Sequence, residues 1–411
     1  MKATQKLLRI FTFSFILVSA FTSCKKESDT RNYNYFVSKE LYTSYNQTYM
    51  LSMIDAASIY FPAIQDLKQY VKSGTSLYRI VYESTIRGEK KKLSGIVCVP
   101  TERGNYPVLS FQNGTNTLNY NAPSEFPADK GYQLVQVISS MGYIVVISDY
   151  PGFGESKDIP HPYLVAEPTV RSLVDMLFAV KEMDNELPDA DVKNEYYVMG
   201  YSQGGWATLQ LHRALELEYK NDFNLKASVC GAGPYNIMML MEEMFDQEEF
   251  PMPYYIGYIL NAYKAYNQFT NPVSDILNEP YASRIGSLYT GLLTSAQING
   301  QLTTSMTSLI NPDFRSGFKT STKYASVREA MVRNSVTPWH TYVPLLMFHG
   351  SADTHVLPVT TENMYSAMIQ AGTSENIIRK VLIPGADHAE GIIPSLVQGF
   401  VFINNIKNSG K

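Results

Sequence analysis

The 411-residue sequence predicts an α/β fold: a mostly parallel sheet with helices on both faces and a largely helical insertion before the last two strands. Three observations predict it. Short apolar runs alternate with helical patterns from residue 78 to residue 230, the signature of parallel strands joined by covering helices. The alternation lapses between residues 234 and 336, then resumes with two apolar runs and a terminal helix. One apolar run also ends in Gly200-Tyr201-Ser202-Gln203-Gly204, where a helical pattern begins.

Taken in order, the chain starts with Lys2, Lys6 and Arg9, followed by an apolar run over residues 10–20 and small residues before Cys24. That pattern predicts a signal peptide over 1–23, with an apolar run too short to span a bilayer comfortably. Phe21-Thr22-Ser23-Cys24 resembles the lipobox of bacterial lipoproteins, which implies lipidation of Cys24 and a membrane anchor through its acyl chains. Residues 24–50, rich in Asn, Tyr and Ser, are expected to form the lipidated tether. The chain would then be exported to the cell envelope, at the outer membrane or cell surface, or otherwise be periplasmic or secreted.

The body of the chain reads as a core in two parts, 51–233 and 337–411, with the insertion 234–336 between them as a cap. Residues 78–82 and 93–99 form a hairpin around the polar turn 87–92. Strands follow at 107–111, 143–148, 196–199 and 226–230, with helices near 133–141, over 168–183 and from 203 onward. Val170, Leu173, Met176, Leu177 and Val180 give the second of these helices one apolar face. The last two strands are 344–348 and 378–383, and a helix over 392–406 ends the fold. An insertion placed before the last two strands stands over the carboxyl ends of the sheet, where open α/β sheets bind ligands.

Composition excludes some function classes. The chain is 45% hydrophobic and 18% charged, with a mean hydropathy of -0.15, an ordinary globular balance. Without residues 1–23, 31 basic side chains face 38 acidic ones, a net charge of -7 that argues against nucleic acid as a partner. Beyond Cys24 there remain Cys98 and Cys230, each inside an apolar run, and buried free thiols are expected.

Ser202 is the candidate nucleophile. A hydroxyl is a weak nucleophile and must be held proud of the backbone beside a base and beside donors for an oxyanion. A sharp strand-to-helix turn does this, and it needs very small residues at Gly200 and Gly204. The same turn leaves the amide of Gln203 at a helix N-terminus, as an oxyanion-hole donor. His388, in the loop between the last strand and the last helix, is the candidate base, and Asp353, after the preceding strand, the candidate acid. Asp387 adjoins His388 and is the alternative acid, though neighbouring side chains in a loop diverge. His349 and His355 flank Asp353; the first is expected to pack or hydrogen-bond at the strand end, the second to be exposed. His161, His212 and His340 read as structural or solvent-facing. No grouping of these histidines with carboxylates has metal-ligand spacing.

The order Ser202, Asp353, His388 resembles that of the α/β-hydrolase superfamily, and within it the secretory lipases and related bacterial esterases. Four stretches over roughly residues 78–405 carry the resemblance: 108–115, 148–156, Met199-Gly200-Tyr201-Ser202-Gln203-Gly204-Gly205, and 339–353. It implies a second oxyanion donor in the loop after the third strand. A histidine often precedes the glycine there; this chain has Asn113, whose amide is the expected donor, with Gly114 the alternative. Asp149, Gly152 and Gly154 match a turn that shapes the family's site. The implied activity is that of a serine carboxylic-ester hydrolase acting through an acyl-enzyme on a small-molecule or glycan-linked ester, with no cofactor. Two other readings fit the same scaffold: a serine peptidase, and a non-catalytic glycan- or lipid-binding surface lipoprotein.

Overall fold

A computed structural model describes residues 33–409. The predicted signal peptide over 1–23 and Cys24 lie outside the described residues. Among the described residues nine strands form one sheet in the order β1-β2-β3-β5-β4-β6-β7-β8-β9. Strands β1 (Phe36–Tyr45), β2 (Thr75–Ile86) and β3 (Glu89–Pro100) are antiparallel neighbours. The predicted hairpin is β2–β3, and its turn is tighter than expected: Ile86 pairs with Glu89 across Arg87 and Gly88 alone. Both turn residues have positive φ, 54° and 79°, which suits the right-handed twist of the two strands.

The remaining strands run parallel to one another: β4 (Gly104–Gln112), β5 (Ile144–Ser148), β6 (Ala190–Tyr201), β7 (Leu225–Gly231), β8 (Leu345–Gly350) and β9 (Ile378–Ile383). All five residues of β5 are buried, which is why its sequence shows no polar alternation. Alternate residues of one strand serve opposite faces. On β3, Val97 and Val99 join one apolar cluster while Ile96 and Cys98 join the other. Helices α1 (Gln47–Ser58), α2 (Lys130–Val137) and the terminal helix over Ile392–Ser409 cover the second face. Helices α3 (Ala166–Glu182) and α4 (Gln203–Leu217) cover the first. Cys98 and Cys230 are buried free thiols.

Between β7 and β8 the chain forms α5 (Ile237–Asp246), α6 (Tyr254–Ala265), α7 (Tyr281–Leu288), α8 (Ser295–Asn299), α9 (Met306–Leu309), α10 (Pro312–Gly317) and α11 (Ala325–Asn334). Then α12 (Val359–Gln370) follows β8, and α13 (Ile392–Ser409) ends the chain. The insertion is tied to loops at the carboxyl ends of the strands. Tyr258 donates its hydroxyl to the Asn116 carbonyl at 3.0 Å, and the Asn119 amide donates to Gly291 at 2.8 Å.

The segment expected as a tether to residue 50 differs from that reading. Residues 36–45 are β1, on the sheet edge, and α1 begins at Gln47. Phe36 is the one fully buried residue of β1, so the strand lacks the apolar alternation that would have marked it. The Glu182 carboxylate at the end of α3 fastens its start, accepting from the amides of Tyr35 and Phe36 at 2.9 and 2.8 Å.

Candidate active site

The connection after β4 leads to β5 on one side and the connection after its other neighbour, β6, leads to β7 on the opposite side, so the chain direction across the sheet reverses between β4 and β6. That is the point where an open α/β sheet forms a crevice. Ser202 sits there, at the junction of β6 and α4, with φ 59° and ψ -124°. A non-glycine residue at positive φ is strained, and the surroundings enforce it. The Ser202 amide donates to the Gly231 carbonyl at 2.9 Å, and the Ser202 carbonyl accepts from Trp206 at 3.1 Å. A side chain at Gly200 would meet the Gln112 carbonyl oxygen at 2.7 Å, and one at Gly204 would overlap the same carbonyl group. Both glycines of the motif are thus required by close backbone approach.

The three residues expected to act together are brought together. His388 Nε2 lies 2.9 Å from Ser202 Oγ, and His388 Nδ1 lies 2.6 Å from Asp353 Oδ2. Asp387 is exposed and turns to its own loop, its Oδ1 accepting from the amides of Ala389 and Glu390; it does not stand in as the acid. Asp353 is 2% exposed, and its other oxygen accepts from the amides of His355 and Val356 at 2.9 and 3.0 Å. Burial pushes this carboxyl up, but hydrogen bonds from His349 and His388 and the charge on His388 outweigh it and hold the group well below the usual carboxylate range. Asp353 therefore stays ionised.

His349 is buried, as expected at a strand end. Its Nε2 donates to the Val356 carbonyl at 2.7 Å and stands 3.2 Å from Asp353 Oδ2. His355 is half-buried rather than exposed, because its ring lies 5.3 Å from that of His388. Burial and then the charge on His388 hold its pKa below the ordinary histidine value.

The Gln203 amide opens α4, where no preceding turn can accept its proton. Asn113 lies at the end of β4, its carbonyl accepting from the Tyr150 hydroxyl at 3.1 Å. Gly114 follows against the nucleophile: a Cβ there would lie 3.8 Å from Ser202 Cβ. Asn113 Oδ1 and Gln203 Oε1 are both buried without a hydrogen-bond partner, so unpaired acceptors flank the two amides. Asp149 shapes the turn beside them. Burial raises its pKa against the pull of hydrogen bonds from Ser124 and Ser94, and a side chain at Gly154 would collide with its carboxylate.

The model of the secretory lipase family matches residues 129–396. This chain belongs to that family. The matched span holds Ser202, Gln203, Asp353 and His388 and begins after Asn113. No curated protein matches the chain. Many solved structures share its fold, three of them as follows. A Legionella pneumophila protein assigned as a hydrolase is 24% identical, with a TM-score of 0.81 over 91% of this chain and 98% of its own. The rice cell wall degrading esterase LipA of Xanthomonas oryzae is 21% identical, with a TM-score of 0.76 over 91% and 97%. Candida antarctica lipase A in its closed state is 16% identical, with a TM-score of 0.63 over 91% and 83%. The secretory lipase described here is thus an esterase- or lipase-like hydrolase with an α/β-hydrolase fold.

Two residues of this secretory lipase escaped the sequence reading. Tyr201, next to the nucleophile, donates its hydroxyl to the His388 carbonyl at 2.8 Å and so holds the histidine loop in reach. His161, read as structural or solvent-facing, is buried beside Gln203. Its Nδ1 faces the Pro151 carbonyl at 2.8 Å and so carries the proton, leaving Nε2 to accept from the Gln203 side chain at 2.9 Å. Burial depresses its pKa to about 4 against both hydrogen bonds. His212 is buried against Thr341, a structural role as read. No local signal marks His161, whose partner is 42 positions away.

Proposed function

We propose that this secretory lipase is a serine carboxylic-ester hydrolase working through Ser202, His388 and Asp353. The observation that carries the reading is the unbroken series of short contacts from Ser202 Oγ through the His388 ring to Asp353. His388 Nε2 takes the proton of Ser202 as Oγ attacks the ester carbonyl, and Asp353 stabilises the imidazolium that forms. The amides of Gln203 and Asn113 donate to the oxyanion. Collapse expels the alcohol, which leaves with the proton from His388. Water, deprotonated by the same ring, then attacks the acyl-enzyme and frees the acid and Ser202.

The substrate is a small-molecule or glycan-linked ester. The resemblance to an esterase that degrades rice cell wall supports the glycan-linked class, and the family supports lipid esters. In this reading residues 234–336 cap a core made of 51–233 and 337–411. The deciding experiment is hydrolysis of p-nitrophenyl esters by the wild type and by Ser202→Ala. Turnover should fall at least about 10⁴-fold with fold and thermal unfolding intact. Equal turnover by the two proteins would sink the mechanism.

We further propose that the chain is exported and lipidated on Cys24. The support is the family and the charged, apolar and small-residue order of residues 1–24. Among the described residues no helix is long and apolar enough to cross a membrane. Labelled palmitate should enter the wild type during bacterial expression and should not enter Cys24→Ser; equal labelling would remove the anchor.

A further inference from the structure

On the α2 and α13 face of the sheet an apolar cavity of about 310 Å³ adjoins the catalytic loops. Its walls are Leu134 and Val135 of α2 and Ile393 and Leu396 of α13, while Asn113 and Gly114 border it at one end. Gly114 is also the residue whose missing side chain leaves Ser202 Cβ in van der Waals reach. Gly200 and Tyr201, which lead into Ser202, also border it, so the cavity reaches the strand end that carries the nucleophile. Exposed Gly131 and Ile392 stand on its border, which gives a ligand a way in from solvent.

The cavity's volume lies at the small end of ligand pockets, and its lining is mostly apolar, with Phe111, Tyr132 and Tyr201 beside the aliphatic residues and Asp129 at the border. No residue of 234–336 lines it, so it is separate from any pocket the insertion makes. We propose that this cavity seats an unbranched alkyl chain of the ester, on the order of ten methylenes if each takes about the volume of a water. The inference rests on the ester-hydrolase reading only for the reaction that follows binding. The chain belongs to the acyl part or to the alcohol part of the ester, and the two are separated by experiment.

Ile393→Trp and Leu134→Trp place an indole into the cavity from α13 and from α2 and leave Ser202, His388, Gln203 and Asn113 unsubstituted. Acyl length is varied with p-nitrophenyl acetate against octanoate, and alcohol length with methyl acetate against octyl acetate. In the arm that uses the cavity, kcat/KM for the long ester should fall at least about tenfold, since each lost methylene contact is worth that much or more. The short ester should keep its rate within about twofold. Unchanged long-to-short ratios in both arms for both variants would overturn the inference.

Binding without turnover keeps this result distinct from a failure of the ester-hydrolase reading. Octanoate and octan-1-ol are titrated calorimetrically into Ser202→Ala; at least one should bind with a negative heat-capacity change, and adding Ile393→Trp should weaken that binding by about tenfold or more. Equal binding of each ligand to both proteins overturns the inference, whether or not any ester is hydrolysed. Should the tryptophan variants fail to fold, Ile393→Ala supplies the decision: a larger cavity should shift the preferred chain upward, and an unshifted preference would count against it.

Discussion

On one face of the sheet the insertion sets aromatic rings against the core: Tyr258 stacks on Tyr163 at 4.3 Å and on Tyr289 at 4.7 Å. On the other face Leu134, Ile393 and Leu396 surround open space of about 310 Å³. Between them stand Ser202, His388 and Asp353 on strand-end loops, each fixed by two or more hydrogen bonds. The two faces differ in what they can yield. A stacked aromatic wall whose Tyr258 hydroxyl is bonded to the Asn116 carbonyl holds its shape, whereas an apolar cleft between helices admits chains of different length. Chemistry and selectivity are thus carried by different residues, and each can be broken alone.

The largest effect should come from the polar framework. In Asp353→Asn, the amides of His355 and Val356 still need an acceptor, so the side-chain oxygen remains on their side. The new NH₂ group then faces His388 Nδ1, where the carboxylate had accepted a hydrogen bond. Two donors cannot share that contact, and the imidazole is driven to carry its proton on Nε2. It can then no longer accept from Ser202. Turnover should drop by about 10³- to 10⁴-fold with KM little changed. A loss of under tenfold in a folded Asp353→Asn would show that the acid does not set the tautomer of His388.

How much of this arrangement was legible follows from how local each requirement is. Gly200, Ser202 and Gly204 announce themselves because one tight turn imposes all three residue types within five positions. Asp353 and His388 are legible through their places after β8 and β9, since a parallel sheet delivers successive strand ends to one edge. Strand β1 was hidden because only Phe36 of its ten residues is buried, and its pairing is supplied by β2. The cavity was hidden for a different reason. Leucine, isoleucine and valine on the inner faces of α2 and α13 follow the same helical spacing whether they touch each other or surround a gap. His161 was missed because burial and a partner 42 positions away are properties of the fold, not of the local sequence.

His161 joins the insertion face to the catalytic turn, and it sharpens the comparison with a smaller effect. Its Nε2 accepts from Gln203 on the catalytic side, while its ring lies 5.6 Å from that of Tyr258 on the insertion side. Both bonds are made by the neutral ring, and burial lowers its pKa from 6.5 to about 4. The unfolded chain takes up a proton below pH 6.5, but the native protein refuses it until about pH 4. Unfolding therefore gains a proton in that window, and stability is lost as pH falls. Above pH 6.5 both states are neutral at this residue and it contributes no slope. His161→Gln can offer an amide hydrogen to Pro151 and an acceptor to Gln203 but does not titrate. Urea unfolding at pH 7.5 and 4.5 should show the wild type losing about 2 to 3 kcal/mol more than the variant. Parallel losses would mean that His161 is protonated in the native state, with Gln203 turned to offer its oxygen. In that case the insertion and the oxyanion loop would be coupled through a charge.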